Sequence, residues 1–153
     1  ERFESLYDEE HFCIMHGDYC FSNILYDIPS GIIKYIDPRG SFGDRCAGIY
    51  GDQKYDIAKL AHSASGCYDY IVNNLYQYSE NETGIHYRFN LRNNHTAISA
   101  SMDNLIDELG YSRDDIYFLM GTLFISMTPL HDDSQMKQKT LYLHGLKILN
   151  EVL

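Results

Sequence analysis

The chain has 153 residues, enough for one domain or a large part of one, and 44% of them are hydrophobic, which excludes an intrinsically disordered chain. Its formal charge of −10, from 22 acidic against 12 basic residues, repels nucleic-acid phosphate, and no basic cluster offsets it. No apolar run approaches the roughly 20 residues of a membrane-spanning helix, and Cys13, Cys20, Cys46 and Cys67 are too sparse for a disulfide scaffold. With no signal peptide, a cytoplasmic protein with no nucleic-acid or membrane partner is expected.

In chain order, Phe12 to Met15 is a short strand candidate ending at His16-Gly17-Asp18. Asn23 precedes a second strand, Ile24 to Tyr26. The turn residues Pro29-Ser30-Gly31 separate it from a third, Ile32 to Ile36, which ends at Asp37-Pro38. These two strands predict an antiparallel hairpin. Residues 38–52, with four glycines and no clear period, read as an extended loop. Residues 54–65 predict a helix with Ile57, Leu60, Ala61 and Ala64 on one face. Tyr68 to Tyr78 also reads as helix, whereas residues 85–91 alternate enough for a strand. Ile98, Met102, Leu105, Ile106 and Leu109 form a helical stripe closed by Gly110. Ser112 with Asp115 reads as a capping box opening a helix that carries Ile116, Leu119, Met120, Leu123, Phe124 and Met127, stopped by Pro129. A final helix covers 135–152. The second half therefore reads almost entirely as helix, and its apolar stripes as core packing.

The chemistry concentrates in His16-Gly17-Asp18-Tyr19-Cys20-Phe21-Ser22-Asn23 and in Asp37. Antiparallel pairing around the 29–31 turn brings Asn23 and Asp37 together at the open end of the hairpin, at cross-strand spacing of roughly 5 Å. Their amide and carboxylate oxygens are hard ligands suited to Mg²⁺. Asp18 enters the same end from the preceding loop. Two groups to hold metal and a separate carboxylate to orient an acceptor hydroxyl are what metal-assisted phosphoryl transfer needs. The H-x-D-x-x-x-x-N spacing is that of kinase catalytic loops, with Gly17 in place of their Arg.

Those residues, with Ile36-Asp37 and then Tyr55-Asp56-Ile57-Ala58 opening a helix, resemble the aminoglycoside phosphotransferase and choline kinase-like superfamily. The match covers residues 12–64. The resemblance implies an α+β, mainly α fold: the C-terminal lobe of a protein-kinase-like phosphotransferase, with a small β-hairpin at the catalytic loop followed by helices. It implies ATP and Mg²⁺ as cofactors and a small-molecule hydroxyl as acceptor. Asp18 is then the catalytic base, and Asn23 and Asp37 the magnesium and nucleotide ligands. His16 becomes a structural member of the loop, and Asp56 its brace. A sugar or aminoglycoside is the first expectation for the acceptor, and choline or another amino alcohol the second. The Ile36-Asp37-Pro38-Arg39-Gly40 stretch looks more like bacterial relatives linked to surface-polysaccharide pathways. Cys20 and Phe21 stand where many members carry His and Pro.

No Gly-rich loop or strand lysine with a partner glutamate is found, and only eleven residues precede the first strand. Residues 1–153 are therefore expected to be one catalytic-loop and acceptor-binding lobe, inactive without the nucleotide-covering N-terminal lobe of the same protein. The alternative is a non-catalytic, kinase-like scaffold module, against which Asp18, Asn23 and Asp37 all argue by being present. His11, Cys13, His16 and Cys20 are a rival zinc set, but their spacing fits no finger or ribbon. Arg39 suits either a phosphate or an ion pair, and His131-Asp132-Asp133 either an acceptor pocket or a solvated loop. The 14 tyrosines are too many to single one out.

Overall fold

The computed structural model describes residues 2–6, 8–40 and 48–153. The extended loop expected over 38–52 thus falls partly outside the described residues, as does Cys46. A short helix, α1 (Arg2–Leu6), leads through a 3-10 turn into β1 (Phe12–Ile14). The loop carrying Asp18 follows, then the hairpin β2 (Ile24–Asp27) and β3 (Ile32–Tyr35). β4 (Tyr50–Asp52) runs directly into α2 (Gln53–Ala64), and α3 (Tyr68–Val72) follows. A second hairpin, β5 (Tyr76–Asn81) and β6 (Gly84–Phe89), precedes α4 (His95–Glu108), α5 (Arg113–Met127) and α6 (Gln135–Val152). The fold is α+β and mainly helical, with three separate antiparallel strand pairs among the described residues, β1–β4, β2–β3 and β5–β6. No helix among the described residues is long and apolar enough to cross a membrane.

The core is helical. Ile57, Ala58, Ala61 and Ala64 of α2 pack with Met102 and Ile106 of α4, Ile116, Met120 and Phe124 of α5, and Leu141 and Ile148 of α6. The expected stripes therefore do face inward, except Leu109, which lies exposed at the end of its helix. Gly110 follows in the left-handed conformation (φ +77°) that ends that helix. Ser112 Oγ accepts from the Asp115 backbone N–H at 3.4 Å, and α5 stops at Met127, giving way to a 3-10 turn that holds Pro129.

α5 and α6 cross at two glycines. A Cβ on Gly145 would lie 2.9 Å from the Gly121 carbonyl oxygen and 2.9 Å from Phe124 Cβ. A backbone oxygen and a Cβ fixed to a helix cannot yield cheaply, so Gly145→Ala is expected to cost about 1–3 kcal/mol. A urea midpoint equal to that of the wild type would show that the two helices part freely.

Two expectations are corrected. Tyr68 to Tyr78 is not one helix, because α3 ends at Val72 and β5 begins at Tyr76. Asn74 adopts φ +57°, which a helix interior does not tolerate, and the Leu75 N–H turns back to the Tyr70 carbonyl. Beyond that break Tyr76 pairs with Phe89 and Tyr78 with Tyr87, so residues that alternate as aromatics lie opposite one another across a hairpin. The second half is accordingly not all helix, and the strand reading of 85–91 corresponds to β6. The other correction is β4, inside the expected loop. It pairs Phe12 with Asp52 and Ile14 with Tyr50.

The helical core also sets a pH dependence. His144 is buried, with Nε2 2.9 Å from the Gly66 carbonyl oxygen and Nδ1 3.2 Å from the Tyr87 hydroxyl. Burial pushes its pKa down from 6.5 to about 4 against the pull of the Gly66 carbonyl, and the Lys147 charge adds to the fall. His62 stacks between Tyr68 and Phe124 with neither ring nitrogen hydrogen-bonded. Burial, then the Lys59 charge, holds it well below 6.5. Between pH 6.5 and 4 the unfolded chain binds protons that these native rings refuse. Stability is therefore whole above pH 6.5 and falls as pH drops, by about 1.4 kcal/mol per pH unit for each such ring. Urea midpoints measured from pH 7 to pH 4 should fall across that window, and a flat profile would contradict it.

Candidate active site

The β2–β3 hairpin forms locally. Its turn closes with the Gly31 N–H on the Asp27 carbonyl at 2.8 Å, Gly31 supplying φ +68°, and Ser30 Oγ bonds the Asp27 carboxylate. The register aligns Ile24 with Tyr35, and the Ile36 N–H donates to the Asn23 carbonyl at 3.0 Å. Asn23 therefore faces Ile36, and Asp37 is the next residue beyond. The open end thus carries both expected ligands on adjoining positions. Asp37 sits at φ +56°, and its exposed carboxylate makes no hydrogen bond or ion pair with another described residue.

The loop entering this end is held from α2. The Asp56 carboxylate accepts the backbone N–H of His16 at 2.7 Å on one oxygen and that of Gly17 at 2.8 Å on the other. Gly17 has φ +76°, so the chain can turn there and present both amides to one carboxylate. His16 Nε2 lies 3.0 Å from the Ile36 carbonyl oxygen, and the His16 carbonyl accepts the Arg39 N–H at 2.7 Å. The imidazole thereby ties the loop to the end of β3. His16, expected as a structural member of the loop, and Asp56, expected as its brace, are thus both in hydrogen-bond contact with it.

Asp18 and Asn23 meet directly. Asn23 Nδ2 donates to the Asp18 carbonyl at 2.9 Å and to Asp18 Oδ2 at 3.0 Å. Asp18 Oδ1 pairs with Lys59 Nζ at 2.7 Å. Burial alone would raise the Asp18 pKa. The Lys59 hydrogen bond and charge, the nearby Arg39 charge and the Asn23 amide outweigh burial and hold it below 3.8. The carboxylate is thus ionised throughout the neutral range, with a free lone-pair site on each oxygen. What it adds to stability is present above pH 3.8 and is lost as pH falls through its lower folded value.

Sequence reading missed Lys59, whose 2% exposure is unusual for a lysine. It was hidden in a helix read only for its apolar face. The available signal is a second stripe. Asp56, Lys59 and Ser63 recur at i, i+3 and i+7, and each touches the loop, Ser63 Oγ accepting the Phe21 N–H at 3.2 Å.

The remaining candidates lie elsewhere. Among the described residues no three His, Cys, Asp or Glu side chains form a group able to hold a metal ion. His11 pairs with Asp8 at 3.0 Å, and Cys20 Sγ lies 3.2 Å from Ser22 Oγ. His131 Nε2 lies 3.3 Å from the Tyr68 hydroxyl, and Asp133 pairs with Lys137 at 2.9 Å. Burial, with the Cys20 and Asp18 charges, pushes the Tyr68 hydroxyl up to about 12, so that tyrosine shares the surroundings of Asp18. A cleft of about 430 Å³ opens beside the loop, lined by Phe21, Ser22, Ser63, Asp69, Tyr70 and Arg92 among others. Comparison with known proteins returns no match to any family model, curated protein or solved structure.

Proposed function

We propose that this protein is an ATP- and Mg²⁺-dependent phosphotransferase acting on a small-molecule hydroxyl. The observation that carries the reading is Asp18 itself. It is an ionised carboxylate on a braced loop, hydrogen-bonded to Asn23, whose cross-strand neighbour Ile36 is followed directly by Asp37. The donor set suits the ion. Asn23 Nδ2 is spent on Asp18, which leaves Oδ1 as the atom with which it would hold the metal, and Asp37 would add a carboxylate. Magnesium is bound through one or two such oxygens plus substrate phosphates rather than by an all-protein cage. When bound, the ion supplies neutralisation of phosphate charge.

The chain's own residues do the rest. Asp56 fixes the loop backbone, so that Asp18 presents its carboxylate from a set position. Asp18 accepts the hydrogen bond of the acceptor hydroxyl, aligns it for in-line attack, and takes its proton as the phosphoryl group transfers. A pKa held below 3.8 makes it a weak base, so orientation is the larger part of its work. The test is an acceptor screen on the intact protein, following ADP release with sugars, aminoglycosides and amino alcohols. Mg²⁺-dependent release with one class, abolished by EDTA, is expected. Release that no acceptor stimulates would turn the reading toward a binding module.

A further inference from the structure

We propose that Lys59 is a positioning residue for Asp18, fixing its carboxylate from inside the helical core; the proposal rests on the phosphotransfer reading above. Lys59 Nζ stands 2.7 Å from Asp18 Oδ1, and its other polar contact is Met127 Sδ at 3.8 Å, a weak acceptor. An ammonium taken out of water costs free energy that a single ion pair seldom returns, and an apolar residue of similar volume usually serves stability as well or better. Stability therefore does not explain a lysine here, with the α2 core on one side and Met127 on the other.

Geometry supplies a reason. Asp18 follows a left-handed glycine on a loop, the kind of segment that leaves a side chain free to choose among rotamers. Two contacts remove that freedom. Asn23 takes Oδ2 from the hairpin side, and Lys59 takes Oδ1 from α2. Asp56, three residues before Lys59 on the same helix, already fixes the loop backbone at His16 and Gly17. One rigid helix thus sets both the main chain and the reacting carboxylate. A displacement of about 1 Å at such a group can cost on the order of 100-fold in rate.

The test is a double-mutant cycle on the intact protein, with Lys59→Met made in the wild-type and Asp18→Asn backgrounds and kcat and KM measured for each. Lys59→Met should lower kcat by about 10- to 100-fold while KM for ATP moves less than about threefold. In the Asp18→Asn background the same change should alter kcat by less than about threefold, because the carboxylate that Lys59 positions is gone. Lys59→Arg, which keeps the cation, should recover part of the loss. An equal loss in both backgrounds would make Lys59 a merely structural residue and overturn the proposal, as would unchanged turnover in Lys59→Met. If Lys59→Met does not fold, Lys59→Gln, which also removes the ammonium, is carried through the same cycle and read by the same criterion. A wild-type protein that phosphorylates no acceptor would instead bring down the phosphotransfer reading, and this role with it.

Discussion

Asp18→Asn is expected to lower kcat for phosphotransfer by roughly 10²–10⁴-fold, the range for loss of a positioned general base. The substitution preserves shape and changes polarity. The new amide carries one oxygen and one NH₂ where the carboxylate had two acceptors. If the oxygen stays on the Lys59 ammonium, the NH₂ meets Asn23 Nδ2, donor against donor; the flipped orientation sets it against the ammonium instead. Either way the acceptor hydroxyl loses its ionised partner. KM for ATP should move little, because Asp18 holds neither metal nor nucleotide in this scheme. Thermal unfolding measured in parallel separates a lost base from a lost fold. Undiminished turnover in a folded variant would remove Asp18 from its place in the mechanism.

Asp56→Asn should act through the backbone. Asp56 receives two consecutive amides at 2.7 and 2.8 Å, one on each oxygen. Hydrogen bonds to an ionised acceptor are worth about 1.5–3 kcal/mol each. An asparagine keeps one of them, uncharged, and turns its NH₂ toward the other amide. A loss of about 2–4 kcal/mol in unfolding free energy is expected, and kcat should fall with it as the loop carrying Asp18 shifts. A urea midpoint within error of the wild type would mean that the loop holds its shape unaided.

What the sequence made legible was local. The β2–β3 hairpin follows from a Pro29-Ser30-Gly31 turn between two short apolar runs. The α6 boundaries follow from Ser134, whose hydroxyl accepts the Lys137 N–H at 3.3 Å, and from an unbroken helical period. The Asp18–Asn23 contact was readable as the H-x-D-x-x-x-x-N interval. Pairing between distant segments was not readable. β4 has three residues and exists because Phe12 and Ile14 lie opposite it, which no window on residues 50–52 reveals. Lys59 was legible only as one member of the Asp56, Lys59 and Ser63 stripe; that this stripe turns inward rather than to water depends on the tertiary placement of Asp18. The Tyr68–Tyr78 misreading has the same origin. Its apolar spacing suited a helix, while the decisive residue was Asn74, whose left-handed backbone reversed the chain.

The backbone at Asp37 has an outcome for anyone who would make this protein tougher. At φ +56° a non-glycine residue carries a strain on the order of 1 kcal/mol, and the Asp37 side chain makes no hydrogen bond or ion pair within the described structure to offset it. Glycine at 37 would relax the chain and delete, in one step, a carboxylate that the proposed function assigns to magnesium. A library of variants ranked only by heat tolerance would thus enrich for proteins that survive better and, on that proposal, bind magnesium worse, and any such campaign has to hold this position fixed.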